Sequence, residues 1–595
     1  MIIQSLHDYY ERLSNDSESG VAPSGYCSAK VYFAFNLSAS GELLDILPLY
    51  ETKGQKKIAL DMLVPEQVKK TSGINPNFLC DNSAYVLGLD NKGKPKRTID
   101  SHTSFRDLHR RVFERVEDEG ANAIMKFLEF RESGKADEQV IQDMLEPLLE
   151  GGNIVFKLDG TNGYIHDRPK VKKAWASYKE QQLGKAYVSQ CLVTGETSPI
   201  ALLHPSIKGV SGAQSSGASI VSFNDDAYIS YNKKQSYNAP VSVNATFAYT
   251  TALNYLLASK RNRLQIGDAT TVFWADREEE ENLIAAFFDP PEEDAKSENS
   301  MYYSDTQKIR DILLQLRDGK KPANSEIDEK THFCILGLSP NAARISIRYY
   351  YEGEFGLLME NVGRHYGDMS IILPKDYRHP FPAIWRILKE IATLGKSENI
   401  PSILSGALMR AVLSGGPYPR SLYTAILSRI RADQSKKDKT GKPINHINPI
   451  RAGIIKACLM RQARIYGQKE KEKMLTMSLN EESSNQGYIL GRLFALLERA
   501  QEQASGGNLN STIRDRYFGS ASATPASVFP ILLRLSQHHI SKAEYGYAID
   551  RQIQEVLNLI DGTAGFPKHL NLDDQGFFML GYYQQRQAFY SKKEA

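Results

Sequence analysis

The chain changes hydrophobic rhythm once, near His379, and that change restricts its architecture more than any total does. Before it, short alternating apolar runs are mixed with helical stretches. After it, apolar residues recur every three or four positions almost to the end. This pattern predicts an α+β fold: a mixed strand and helix region over residues 1–375, a basic helical region over 376–475, and a C-terminal helical bundle over 476–595. At 595 residues the chain exceeds what a single core usually organises, which agrees with several parts.

In the first part, Lys30 to Leu37 (KVYFAFNL) and Leu43 to Leu49 read as strands around a turn at Ser40-Gly41. Thr103 to Arg131 reads as one helix, with Gly120 as its weak point. Thr331 to Leu338 and Arg344 to Tyr351 read as a hairpin turning at Ser339-Pro340-Asn341. In its second strand Arg344, Ser346 and Arg348 share one face, and Ile345, Ile347 and Tyr349 the other. The acidic stretch 276–298 reads as a surface loop.

In the last part, helices are expected over about 480–504, 524–541, 543–561 and 572–590. Thr524-Pro525 is an N-cap and first-turn pair, with Pro530 bending the helix beyond it. Asn571 is an N-cap, and Asp573 and Asp574 complement the positive end of the helix dipole. On that helix Phe578, Tyr582, Gln585 and Phe589 form one stripe and Tyr583, Arg586 and Tyr590 the next. Four helices in this length suffice for an independent bundle.

The formal charge of +3 hides an imbalance. Residues 420–473 hold 14 Lys and Arg against 4 Asp and Glu, so the rest of the chain is net negative. A concentrated basic segment suits a polyanionic partner; the plainer reading is a solvated helical face. Three loops add candidate contacts. Lys208 to Asn224 (KGVSGAQSSGASIVSFN) is rich in Gly and Ser, as a backbone approaching phosphate or a groove would be, or as any flexible surface loop would be. No Gly-Lys-Ser/Thr ends it, so it is not a Walker A loop. Ile220 to Phe223 within it reads as strand-like. Val68 to Asn82 carries Lys69, Lys70, Ser72, Asn75 and Asn77 around a Ser-Gly turn. Its amides suit base edges or, alternatively, an Asx turn. The tip Asn91 to Arg97 offers four cations for non-specific attraction.

Catalytic signatures are absent from the sequence. The five cysteines are scattered without a CxxC pair, and no HxxxH, EF-hand or G-x-S-x-G pattern occurs. Asp225-Asp226, His166-Asp167 and His538-His539 lack partners at ligand spacing. No metal or cofactor is therefore expected. With no apolar stretch of bilayer length and an N-terminus unlike a signal peptide, a cytoplasmic protein is expected.

Five blocks in order carry a resemblance: VPEQVKKTSGINPNFLCDN, CLVTGETSPIALLHPSIKGVSGAQSSGASIVSFN, ILGLSPNAARISIRYY, LGRLFALLERAQ, and GFPKHLNLDDQGFFMLGYYQQRQAFY. Together they resemble the Csd-type large-subunit family of the type I-C CRISPR surveillance complex, Cascade. The resemblance implies a non-catalytic subunit of an RNA-guided DNA-binding complex that reads the short PAM in double-stranded DNA and stabilises strand separation. It implies as partners the crRNA-bearing backbone subunit, the 5′-handle-binding subunit, small subunits and an effector nuclease-helicase. On that basis Lys69, Lys70, Lys208, Lys233 and Lys234 are expected at phosphates, and Ser72, Asn75, Gln214, Ser215 and Asn224 at the groove. Arg420, Arg429, Arg431, Arg451, Arg461 and Arg464, with Tyr466 stacking, are expected to hold the displaced strand. The family also implies small subunits made by internal translation, for which Met474 and Met477 are candidate starts behind Lys469-Glu470. The competing classes are a metal-dependent nuclease and a scaffold gripping guide RNA.

Overall fold

The computed structural model describes residues 2–16, 18–53, 56–68, 70, 73–90, 93–130, 139–183, 187–291, 306–322, 327–377, 379–437, 444–506, 511–562 and 565–590. The chain is α+β and divides into two compact units: Met1–Ile207 with Ser219–Tyr255, and Lys208–Ala218 with Leu256–Ala595. Residues 376–475 and 476–595 both fall within the second unit.

The first unit is built on a five-stranded sheet. Strand β1 (Tyr26–Leu37) is long enough to serve three neighbours. Its first half pairs antiparallel with β4 (Lys56–Pro65) and its second half with β2 (Leu43–Pro48). Strand β5 (Asn153–Leu158) runs parallel along it, and β3 (Tyr50–Lys53) pairs with β4. Phe33, Phe35 and Phe156 drive this sheet into a core with Phe105, Ile124 and Leu128. These last three come from α2 (Pro95–Phe113) and α3 (Glu119–Phe130), which come after α1 (Ile2–Asn15) in the chain. The expected single helix from Thr103 is thus two, and its break falls before Gly120. Asp118 accepts hydrogen bonds from the Gly120 and Ala121 amides, so a carboxylate starts a new helix where the glycine was expected to end one. Helix α4 (Pro169–Leu183) stacks Trp175 on Phe78 at 4.7 Å. A small ribbon of β6 (Val188–Gln190) and β7 (Thr197–Pro199) precedes α5 (Val243–Ala258).

The second unit opens with an antiparallel sheet ordered β11-β10-β9-β8. Its strands are Arg263–Ile266 (β8), Ala269–Ala275 (β9), His332–Asn341 (β10) and Arg344–Glu354 (β11). Every residue of β9 is buried, as a central apolar strand must be. Two expectations for this hairpin are corrected. Ser339-Pro340-Asn341 continues the strand, because Asn341 pairs with Arg344 and the turn falls on Ala342-Ala343, with Ala342 at φ 52°. The register also slips between Gly337 and Leu338, leaving Arg348 as an extra residue. Ile345 and Tyr349 are buried, but Ile347 is 42% exposed. The acidic run Glu278 to Glu281, expected as loop, opens helix α6 (Glu278–Phe288), where carboxylates favour the N-terminus; 292–298 lies outside the described residues.

Helix α7 (Thr306–Arg317) lies between β9 and β10, and after β11 the chain is helical: α8 (Phe355–Met369), α9 (Ser402–Ser414), α10 (Arg420–Ala432), α11 (Pro449–Ile465), α12 (Gln486–Ala504), α13 (Ile513–Ala521), α14 (Pro525–Ile540), α15 (Gly546–Leu557) and α16 (Leu572–Ala588). They share one apolar core with the sheet. Helix α13 was missed by periodicity; a reciprocal box between Thr512 and Asp515 starts it. Thr524, expected to cap α14, instead turns its hydroxyl to the Ser520 carbonyl. The stripes expected on α16 are not a boundary, because its residues from Gln575 to Gln585 are all buried.

That burial stems from glycine. A Cβ on Gly491 of α12 would lie 2.0 Å from the Phe578 carbonyl oxygen. One on Gly487 would lie 2.1 Å from that of Asp574, and one on Gly581 of α16 would lie 2.2 Å from that of Tyr488. Gly576 faces the Tyr423 hydroxyl of α10 in the same way, at 2.0 Å. The two helices meet backbone to backbone, and the phenol of Tyr582 reaches buried Glu498 at 2.5 Å.

Candidate nucleic-acid interface

In the first unit, the Val68 to Asn82 loop is knit inward. The Asn77 side chain accepts from the Val68 amide at 2.8 Å and donates to Gln67, which donates to the Cys80 carbonyl. Lys70 was expected at a phosphate. It bonds the buried carboxylate of Asp81 instead, and its ammonium lies 3.5 Å from the centre of the Tyr85 ring. Burial pushes the Lys70 ammonium down, opposed by the charge of Asp81. A cation committed to a buried carboxylate and an aromatic face is a clamp on this loop, so its phosphate role is withdrawn. Asn75 is half-buried, with its amide donating to the Tyr85 hydroxyl at 3.2 Å. Lys69 and Ser72 lie outside the described residues.

The segment 224–238 is the opposite case, a loop organised to face outward. Asn224, Lys233 and Lys234 are all exposed. Tyr231 and Asn232 both take left-handed backbone, φ 50° and 58°, and Ser230 pairs with Lys233 across them. Two positive-φ residues in sequence make the tight reversal of a hairpin, unusual for a bulky aromatic residue. Asn238 stabilises it from beneath: its oxygen accepts from the Ser230 amide at 3.0 Å, and its nitrogen donates to the Lys233 and Gln235 carbonyls at 2.7 and 2.9 Å. The turn holds Tyr231 at 93% exposure, beside two lysines with no ion pair among the described residues. Sequence reasoning passed over Tyr231; its position in an Asn-rich turn was the available signal.

In the second unit, Lys208, Gln214 and Ser215 are exposed on the Gly/Ser loop, which two tight turns shape. Gly209, Gly212 and Gly217 take φ of 92°, 77° and 91°, the conformations the glycines were expected to supply. The Ser211 amide donates to Thr270 on β9 at 2.9 Å, fixing the loop to the sheet. No strand forms at Ile220 to Phe223, which is bent chain. The loop walls a cleft of about 580 Å³ whose other side includes Arg263, Gln265, Asp289 and Trp385. The Trp385 indole donates to Asp289 at 3.1 Å, and the Arg386 guanidinium lies 5.1 Å from the indole ring centre. These residues lie roughly 50 to 180 positions beyond the loop, and no motif announced them.

The basic segment needs the largest correction. Arg461 is 1% exposed in its side chain and bonds Asp368 at 2.8 Å together with the carbonyls of Ala411 and Gly416. Arg464 takes the other oxygen of Asp368 at 2.8 Å and reaches Glu472 at 3.2 Å. Arg451 joins Glu390 at 2.8 Å to Asp433 at 2.9 Å, Arg429 bonds Asp433 at 2.8 Å, and Arg431 bonds Gln575 of α16. Arg461, Arg464, Arg451 and Arg431 tie separate segments together, and Arg429 closes the end of its own helix α10 on Asp433, instead of lining a strand channel. Arg420 remains exposed, and Tyr466 is 71% exposed.

The match to known families is decided over nearly the whole chain: residues 6–590 fit the family described as CRISPR-associated protein (Cas_Csd1). The chain belongs to the Cas_Csd1 family. No curated protein matches it. Among the described residues, no helix is long and apolar enough to cross a membrane. The family match runs through both units, so the outward turn at Tyr231 and the Gly/Ser loop each belong to Cas_Csd1 sequence.

Proposed function

We propose that this chain is the non-catalytic large subunit of a type I-C Cascade, reading the PAM in double-stranded DNA and helping to open the duplex. The whole-chain family match carries this reading. The 224–238 turn supports it locally: exposed Lys233 and Lys234 supply phosphate attraction, and Tyr231 offers a ring to an unstacked base. On the second unit, Lys208 supplies phosphate attraction, and Gln214 and Ser215 supply groove contacts, from a loop whose glycines allow close approach. Asn75, Asn224, Lys69 and Ser72 complete the proposed set. Arg420 and Tyr466 are the proposed contacts of the displaced strand.

In this reading the chain acts with a crRNA-bearing backbone subunit, a 5′-handle-binding subunit and small subunits, and it later recruits the effector nuclease-helicase. Guide pairing reads most of the target, and protein reads only the motif beside it. The test compares assembled complexes on PAM-bearing and PAM-less duplexes. Gln214→Ala and Asn75→Ala are expected to narrow that preference while leaving assembly intact; an undiminished preference in both variants refutes the assignment. Incubating the chain with Mg²⁺ or Mn²⁺ and labelled nucleic acid separates this reading from a nuclease, since retention without cleavage is expected.

A further inference from the structure

The sheet of the second unit brings together three side chains that no sequence spacing flagged. His332 and Cys334 alternate along β10 and so share a face, and Glu352 on β11 is the direct cross-strand partner of Cys334. Their donor atoms, an imidazole nitrogen, the thiol sulfur and a carboxylate oxygen, lie within 4.8 Å of one another. His332 and Glu352 are exposed while Cys334 is buried, so the thiol forms the floor of the cluster. The Tyr350 hydroxyl, on the same face of β11, lies 3.7 Å from the Cys334 sulfur and bonds the Glu352 carboxylate.

We propose that His332, Cys334 and Glu352 form a binding site for a zinc-class divalent cation that clasps β10 to β11. Nitrogen, sulfur and oxygen donors in one triad match Zn²⁺, whereas Mg²⁺ and Ca²⁺ take oxygen sets. With bonds of about 2.0–2.3 Å, neighbouring ligands of a tetrahedral zinc stand roughly 3.5 Å apart. The observed spread therefore closes by small rotations of the two exposed side chains over a fixed thiol. Three protein ligands leave a fourth position for water. Binding replaces the S–H bond with a metal–thiolate bond and releases that proton to solvent. Tyr350 holds the carboxylate over the sulfur, as outer groups orient metal ligands elsewhere. A soft-donor site of this kind is distinct from the carboxylate clusters that hold magnesium in nucleases.

The probe is Co²⁺ added to the tag-free full-length chain, read by absorbance. One equivalent is expected to produce a thiolate-to-cobalt charge-transfer band and the visible bands of tetrahedral cobalt, both erased by Zn²⁺. Cys334→Ser is expected to abolish the charge-transfer band. His332→Ala, at an exposed position that should not perturb folding, is expected to weaken Co²⁺ at least about 10-fold. No band at one equivalent, a band that survives Cys334→Ser, or unchanged affinity in His332→Ala would overturn the proposal.

Discussion

Replacing Gly491 by Ala puts one methyl group where α12 and α16 touch, and the geometry sets its effect. The new carbon would stand 2.0 Å from the Phe578 carbonyl oxygen, 2.8 Å from its carbon and 2.9 Å from the Tyr582 nitrogen. All three atoms belong to helix backbone, so no side chain can swing away. The helices must part by about 1.4 Å or more to restore an ordinary contact, and a gap of even about 0.5–1 Å forfeits roughly a quarter to a half of each dispersion well along the seam. Overpacking typically costs about 1–3 kcal/mol, and backbone resistance places this substitution at about 3 kcal/mol or above. A chain of two units need not unfold in one step, so a global melt is a poor reporter. Hydrogen exchange read on peptides 486–504 and 572–588 isolates the contact: about 3 kcal/mol corresponds to loss of roughly 100-fold protection. Gly562→Ala, with nothing within 4 Å of its added carbon, is the matched control and is expected to be near neutral. If Gly491→Ala kept wild-type protection in both peptides, the backbone-to-backbone packing of these helices would be wrong.

Four further outcomes are expected. Lys233→Gln with Lys234→Gln should lower the salt slope of duplex binding by about 2. Lys70→Gln should leave that slope unchanged and cost about 3–5 kcal/mol by stranding Asp81; both are read from salt titrations and denaturation. Buried His109 accepts from the Leu79 amide through Nε2 and bonds the Phe105 carbonyl through Nδ1, and burial pulls its pKa to about 4. The unfolded state therefore binds the extra proton between pH 6.5 and about 4, so stability falls as pH falls through that window, by about 3 kcal/mol in all. His109→Gln should flatten that part of the urea-midpoint profile. Synonymous recoding of Lys469 to Glu472 should remove a short C-terminal product that begins at Met474 or Met477, and a product unaffected by recoding would exclude this start.

What the sequence made legible was local. Asn571 caps α16 through its own side chain, Pro525 opens its helix at the first turn, and Leu43 begins its strand where alternation placed it. These features depend on neighbours one to four residues away. The misreadings share the opposite property. Charge counting over 420–473 could not reveal that Asp368 and Glu390, outside that window, would absorb Arg461, Arg464 and Arg451. Lys70 was misjudged because Asp81 and Tyr85 lie across a turn, and Gly120 because Asp118 supplies a cap that composition does not show. The candidate surface was legible as exposed lysines and glycines. Tyr231 and the cleft beside Trp385 needed backbone geometry and a sheet edge to appear.

The assignment of Lys208–Ala218 to one unit, between stretches of the other, has a practical consequence. The polypeptide passes between the two units three times, so neither can be produced by cutting the gene at a single place. A gene fragment ending at 207 lacks 219–255, and one starting at 256 lacks the Gly/Ser loop. A protease that nicks the chain once at any crossing leaves at least one unit as two interlocked pieces. Those pieces separate only when that unit itself comes apart.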